Sequence, residues 1–513
     1  MVHVVQFVFV ALAALDLLSR TSQTIKPSQK SMVAPGKGVQ YPQKYPPNLD
    51  CMQYDLIIIG SGPGGYVAAI RASQLGMQVA IVEKESLGGV CLNWGCIPTK
   101  ALLKSAQVFD YIQNANAYGI QVQDAKPDFE AMIKRSRGVA NSMSKGVQFL
   151  LKKNKIATIE GTGKLGKNCT VIVEDAQGIT TTYQANHIIV ATGGRSRVLP
   201  QLPIDQKKVI GYREAMILKE QPRSMIVVGA GAIGVEFAYF YHTIGTEVTL
   251  VEYMPRLLPL EDEDISKEVA KSFSKAGIKI HTNTEVIHVD TQGTQCQVQL
   301  KTEEGVQSLV GDVVLSAVGI VANLEHIGLE DVGVATDHGK VIVDDFYCTN
   351  ISGVYAIGDI VKGPALAHVA SAEGIVCVEK IAGLHPEPLD YNNLPACTYC
   401  QPETASVGYT EQAAQAAGYK IKVGKFPFSA SGKANAAGTK EGFVKVIFDA
   451  QYGEWLGAHM VGTNVTEMLA EVVTARKLET TAHEIIKSVH PHPTMSEAIM
   501  EAVADAYGEG IHL

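Results

Sequence analysis

The feature that most limits what this chain can fold into is a repeat. Residues 60–83 (GSGPGGYVAAIRASQLGMQVAIVE) and residues 229–252 (GAGAIGVEFAYFYHTIGTEVTLVE) match without a gap. Glycines coincide at Gly60 and Gly229, Gly62 and Gly231, Gly65 and Gly234, and Gly76 and Gly245, and each block closes on an acid, Glu83 or Glu252. A short apolar run precedes each block, at residues 56–59 and 226–228, of the kind that forms a buried parallel strand. Strand, glycine-rich turn, helix and terminal acid make up the dinucleotide-binding βαβ fingerprint. Its first glycine permits a tight turn, the second lets backbone approach a pyrophosphate, and the third lets helix pack on sheet. The helix start offers unpaired amides and the positive end of its dipole to the phosphates, and the acid accepts from a ribose 2′-hydroxyl. One such match is weak, because glycine turns recur for structural reasons alone; two in strict register predict two dinucleotide sites.

Glu252 favours NAD over NADP at the second site, since a carboxylate there repels a 2′-phosphate, although Arg256 stands four residues on. The first site need not hold a nicotinamide. Two further strand-to-turn transitions have the character of a flavin site: residues 188–190 lead into ATGG at 191–194, and residues 354–357 lead into Gly358 and Asp359. Ligands of open α/β sheets bind at such carboxyl edges.

At 513 residues the chain exceeds one core and suggests about three or four domains. With 44 basic against 52 acidic side chains it presents no broad cationic surface, so nucleic acid is not an expected partner. Its nine cysteines are scattered rather than framed as a disulfide scaffold, which points to a reducing compartment. Residues 4–18 are apolar but lack a preceding basic residue and are short for a membrane span, so stable membrane insertion is not expected. Residues 19–51 are polar and proline-dotted and read as linker, with Met52 just before the first convincing strand. Residues 1–51 are therefore expected to be an upstream mis-start, a transit peptide or a lipophilic leader. The expected location is the cytoplasm, or the mitochondrial matrix if they are a transit peptide.

The chemistry is expected in GGVCLNWGCIPTKALL, residues 88–103. Cys91 and Cys96 are separated by four residues, a spacing of neither a zinc knuckle nor a thioredoxin-type pair. Gly88, Gly89 and Gly95 leave the backbone free to bring the sulfurs together. Pro98 and the residues after it predict a helix beginning just past Cys96, whose dipole would lower the pKa of a thiol at its start. Cys397 and Cys400 form an isolated CxxC with no second pair to complete a metal site; packing is their expected role, as for Cys51, Cys169, Cys296, Cys348 and Cys377.

These motifs, with GAGAIGVE at 229–236, YAIGD at 355–359 and HPHPTMSE at 490–497, resemble the class I flavoprotein disulfide reductases, and within them the branch that oxidises dihydrolipoyl groups. The resemblance runs from about Met52 to the C-terminus. It implies an α/β fold of two Rossmann-like dinucleotide-binding domains plus a C-terminal α+β dimerisation domain. The implied divisions are an FAD-binding domain at 52–198 and 321–393, an NAD-binding domain at 199–320 and an interface domain at 394–513. It also implies FAD and NAD as cofactors, a homodimer, and lipoyl domains of 2-oxo acid dehydrogenase complexes as partners. By the same resemblance Cys91 is the interchange thiol and Cys96 the thiolate against the flavin. Lys100 lies near the flavin and pairs with Glu236, and Asp359 holds the ribitol. Gly60, Gly62, Gly65, Glu83, Gly163, Thr192, Gly193 and Ala367 serve FAD, while Gly229, Gly231, Gly234, Glu252 and Gly319 serve NAD. Two departures stand out. Trp94 replaces a smaller residue between the cysteines and is expected to pack on the flavin side of the loop; Ala322 replaces a proline before Asn323 and bears on turn rigidity.

Oxidising a dithiol requires removing a thiol proton, and imidazole is suited to that near neutral pH. Glu497, five residues after His492, can orient the ring and stabilise its charged form. Pro491 and Pro493 present His492 in an extended loop, and the resemblance selects it over His490 as the base acting on the disulfide of the other subunit. Glu252 and the cysteine loop speak against an NADPH-driven glutathione-reducing branch. The tail GEGIHL, without paired cysteines, speaks against a mercuric-ion-reducing one. A scaffold subunit that kept the fold without catalysis is opposed by the intact cysteines, His492 and Glu497.

Overall fold

The computed structural model describes residues 53–513, and these form a single unit. The leader and Cys51 lie outside the described residues. The apolar run of the first block becomes the strand Gln53–Ile59, whose last four residues are buried. It pairs in parallel with Val79–Glu83 on one side and Thr180–Val190 on the other. Ala157–Glu160 and Val354–Ala356 extend this parallel core outward on its two sides. The second block repeats the arrangement: Ser224–Val228 lies between Glu247–Val251 and Val313–Ser316, with Lys279–His281 and Val209–Ile210 at the edges, all parallel.

The duplication reaches further than the matching residues. In the first unit the antiparallel strands Thr162–Gly166 and Thr170–Glu174 lead into Thr180–Val190. In the second, the meander Glu285–Asp290, Cys296–Thr302 and Gly305–Gly311 leads into Val313–Ser316. Residues after the second unit return to the first. The helix Ala367–Ile381 packs on Pro63–Gln74, and Val354, Ala356 and Ile360 join the core under the first sheet. The short strands Gly194–Ser196 and Ile320–Ala322 pair antiparallel where the chain passes between the two units. Arg195 fastens this crossing through the carbonyl of Ala322 and a two-point ion pair with Glu325.

From Ala396 onward the chain forms a five-stranded antiparallel sheet. Its two central strands, Phe443–Asp449 and Trp455–Gly462, are buried along their whole length, because the helices Val465–Lys477 and Glu497–Ala506 help to cover them. Among the described residues no helix is long and apolar enough to cross a membrane.

Candidate functional site

Both glycine loops are built from the same collisions. A side chain at Gly60 would strike the carbonyl of Ala191, and one at Gly229 that of Ala317; both glycines have positive φ, +105° and +99°. A side chain at Gly65 or Gly234 would strike the carbonyl of Gly60 or Gly229. At Gly62 and Gly231, by contrast, an added Cβ would meet nothing within 4 Å. The middle glycine of each loop therefore faces open space, directly before the uncapped first turn of Pro63–Gln74 or Ala232–Thr243. An anion cradle requires this combination of a closed outer turn and an open centre. It fits a dinucleotide at both positions.

The two terminal acids have a structural task that the motif alone does not announce. Glu83 accepts from the amide and hydroxyl of Ser61 at 3.0 and 2.6 Å, and Glu252 accepts from the amide of Ala230 at 2.5 Å. Each carboxylate thus holds the residue after the first glycine and fixes the loop it belongs to.

The remaining positions named for FAD gather along the carboxyl edge of the first sheet. Thr192 donates its hydroxyl to Asn323 O at 2.7 Å, beside Gly193 with φ +67°; Gly319, named for NAD, turns at φ +105° in the returning crossover. A side chain at Gly163 would press on Ile59 and Val82. Asp359 sits in the turn Gly358–Ile360, where burial raises its carboxyl pKa and Lys340 partly offsets that. Ala367 opens the uncapped helix Ala367–Ile381. Sequence reasoning missed what holds this turn. Glu373, 1% exposed, accepts from the Gly358 amide at 2.6 Å and from Tyr391 Oη at 2.7 Å, and the Lys340 ammonium donates to the Asp359 carbonyl. Burial pushes Glu373 up to about 7. An acid in an otherwise apolar helical face was the available signal.

The cysteine segment is more ordered than a glycine-loosened loop. Cys91 lies on a short helix, Gly89–Trp94, which sequence reasoning did not foresee, and Cys96 is itself the first residue of the helix Cys96–Gln113. Gly95, at φ −142° and ψ −114°, forms the joint between them. Their thiols are in hydrogen-bond contact with each other. The contact divides the pair: Cys91 is raised and Cys96 is lowered to about 7. For Cys96 the Cys91 hydrogen bond is the largest lowering influence, followed by Lys100 and the backbone amide at the helix start, against opposition from burial. Lys100 bonds both oxygens of Glu236 at 2.9 Å and lies 4.4 Å from the Tyr399 ring centre; the Tyr399 amide donates to the same carboxylate. Cys400 is fully buried behind this group, and Cys397 stands in the strand Ala396–Thr398.

The Trp94 indole lies against the guanidinium groups of Arg137 and Arg213, 4.3 and 5.1 Å from the ring centre, and packs on the core of the second nucleotide-binding unit.

The two histidines of HPHPTMSE separate cleanly. His490 is buried, with Nε2 2.8 Å from Glu471. His492 has a side chain 76% exposed, with Nδ1 held by Glu497 at 2.8 Å. The other oxygen of Glu497 accepts from the Thr494 amide at 2.8 Å. Burial alone would raise Glu497, but that amide and His492 hold it lowered. The ring is therefore oriented on one nitrogen and open on the other, the arrangement a proton acceptor needs.

Twin nucleotide cradles, a polarised thiol pair at a helix start and a second domain with an oriented histidine define a class. Residues 54–374 match the family model described as pyridine nucleotide-disulphide oxidoreductase and residues 394–503 match its dimerisation domain, so the chain belongs to that family. The dimerisation domain supports a homodimer. Among its relatives, the dihydrolipoyl dehydrogenase of Rhizobium etli is 50% identical, with 89% of this chain and 98% of that protein covered. That of Zymomonas mobilis is 47% identical over 90% and 99%. The crystal structure of LpdA from Mycobacterium tuberculosis superposes with a TM-score of 0.82 at 26% identity, covering 87% of this chain and 98% of that one. The chain is an oxidoreductase of this dihydrolipoyl dehydrogenase branch.

Proposed function

We propose that the protein oxidises protein-bound dihydrolipoyl groups and delivers the electron pair to NAD, serving the lipoyl domains of 2-oxo acid dehydrogenase or glycine cleavage complexes in the cytoplasm. The observation that carries the reading is the thiol pair itself: Cys96 opens a helix one turn before the Lys100 that bonds Glu236, and it hydrogen-bonds Cys91 on the neighbouring short helix. In the oxidised enzyme a substrate thiolate attacks Cys91 Sγ, and the S–S bond breaks with its electrons leaving on Cys96, the better leaving thiolate. The second substrate thiol then closes on the first, forming the substrate disulfide and releasing Cys91. The substrate loses two electrons and two protons, and the enzyme pair gains the electrons. His492 of the partner subunit, oriented by Glu497, accepts a proton from the substrate thiols. The loops at Gly60–Gly65 and Gly229–Gly234 would hold FAD and NAD respectively, with Glu83, Gly163, Thr192, Asp359 and Ala367 toward the first and Glu252 and Gly319 toward the second. Bound FAD supplies the two-electron relay between dithiol and nicotinamide.

The test is His492→Gln. Dihydrolipoamide-dependent NAD reduction should fall at least about a hundredfold, the lower range for a lost general base, while NADH oxidation by ferricyanide is retained. Undiminished lipoamide turnover removes His492 from the mechanism.

A further inference from the structure

The residue between the cysteines is the anchor of an assembly that the reading above leaves unused. Trp94 ends the helix Gly89–Trp94, one turn after Cys91, so the placing of its ring fixes the rotation of the helix that carries this sulfur. The indole Nε1 donates to Glu85 at 2.8 Å. Glu85 in turn receives both terminal nitrogens of Arg213, at 2.8 and 3.1 Å, and Arg213 lies over the same indole. On the other side Arg137, from the helix Phe129–Lys153, lies over the ring and donates to the backbone carbonyl of Asn93 at 2.6 Å. Its second terminal nitrogen is buried and unpartnered, so the guanidinium is held here without full satisfaction of its donors. Asn93 closes the helix on itself through Leu87 O and Gly89 O, both at 3.0 Å.

The helix bearing Cys91 is thus strapped to the loop after Val79–Glu83, to the long helix, and to the second nucleotide-binding unit through Arg213. The helix bearing Cys96 is separately strapped to that unit through Lys100 and Glu236. Only Gly95 joins the two helices, and glycine offers the least resistance to rotation. The straps therefore bear on sulfur-to-sulfur reach, alongside the buried packing of Leu92.

We propose that Trp94, Arg137, Arg213 and Glu85 form a positioning assembly that holds Cys91 in reach of Cys96 and so sets the dithiol–disulfide equilibrium of the pair. The inference rests on the redox reading of that pair. Loosening the strap lowers the effective concentration of one thiol for the other, which disfavours the disulfide, and weakens the Cys91–Cys96 hydrogen bond, which makes Cys96 less acidic. A side chain that merely filled space would alter stability and leave both quantities alone.

The experiment compares holoenzyme of the wild type with Trp94→Val, Trp94→Phe and Arg213→Met, equilibrated in dithiothreitol buffers of graded oxidation. Alkylation quenches each sample, and peptide mass spectrometry reads the state of Cys91 and Cys96. The pH dependence of Cys96 alkylation in reduced protein is recorded in parallel. Trp94→Val should shift the equilibrium about tenfold toward the dithiol, about 30 mV for a two-electron couple, and move the Cys96 midpoint upward. Trp94→Phe, which keeps an aromatic face for both guanidiniums, should stay close to wild type, and Arg213→Met should shift both readouts in the same direction by less. If Trp94→Val does not fold, Arg213→Met decides. Unchanged equilibrium and unchanged alkylation profile in the deciding variant overturn the proposal, whatever happens to the melting temperature. A wild-type pair that never interconverts between dithiol and disulfide overturns instead the redox reading beneath it.

Discussion

Glu261 is a side chain whose charge the fold accommodates poorly. It is 9% exposed, one carboxylate oxygen has no partner, and Asp262 stands beside it. Burial is the main cause, and Asp262 adds to it; a bond from Ser406 opposes both, and the result is a carboxyl raised from 4.5 to about 7. The folded state therefore binds this proton more tightly than the unfolded chain does. For a raised acid, stability is greatest below the unfolded value and is lost as pH climbs toward the folded one. The shift of about 2.5 units corresponds to roughly 3 kcal/mol, of which about 2 to 3 kcal/mol is lost between pH 5 and pH 8. Glu261→Gln keeps the shape and a partner for Ser406 but has no charge to bury. At an unfolding entropy of about 2 cal/mol/K per residue over about 460 residues, the variant should gain roughly 2 to 3 °C in melting temperature at pH 8 relative to its gain at pH 5. Differential scanning calorimetry of both proteins at the two pH values measures this. A difference between variant and wild type that does not change with pH refutes the assignment of a proton to Glu261.

Other consequences are as specific. Lys445 is 2% exposed and bonds Asp262, Asp264 and Glu411 at 2.9, 3.1 and 2.7 Å; Asp264 keeps Lys425, but Lys445→Met leaves the fully buried Asp262 without a cation and should cost about 3–5 kcal/mol, read by denaturant unfolding. Lys100 lowers the Cys96 pKa and Glu236 raises it, so Lys100→Met and Glu236→Gln should move the Cys96 alkylation midpoint in opposite directions, up and down respectively. Gly231→Ala, whose new methyl meets no protein atom, should fold normally and bind NADH at least about tenfold more weakly. Gly234→Ala, which collides with Gly229 O, should lose thermal stability. Under the proposed NAD assignment steady-state turnover should favour NADH over NADPH, because a carboxylate at Glu252 repels a 2′-phosphate; equal rates would contradict that.

What the sequence made legible follows a physical division. The glycine loops could be read because their constraints are local: a positive φ at Gly60 and the contact of Gly65 with Gly60 O lie within a few residues of each other. His492 and Glu497 were legible for the same reason, with one loop and one helix start carrying both. The helix around Cys91 was not, because three glycines in its vicinity argue against helix and only tertiary contacts override them. The contacts of Trp94 with Arg137 and Arg213 and the Lys445 network join residues far apart along the chain, and the local pattern does not say which of them meet.

The second nucleotide-binding unit does more than hold a nucleotide. Its helix Ala232–Thr243 supplies Glu236 to Lys100, and its short helix Tyr212–Ala215 supplies Arg213 to Trp94, so each cysteine helix has a charged tether to the same body. The tethers differ in exposure: Lys100 and Glu236 have side chains 33% and 7% exposed, whereas Arg213 and Glu85 are 37% and 41% exposed. Screening by salt acts on exposed pairs and spares buried ones. Raising ionic strength should therefore weaken the Arg213–Glu85 strap on Cys91 first, moving the dithiol–disulfide equilibrium toward the dithiol and the Cys96 alkylation midpoint upward together, as the strap variants do.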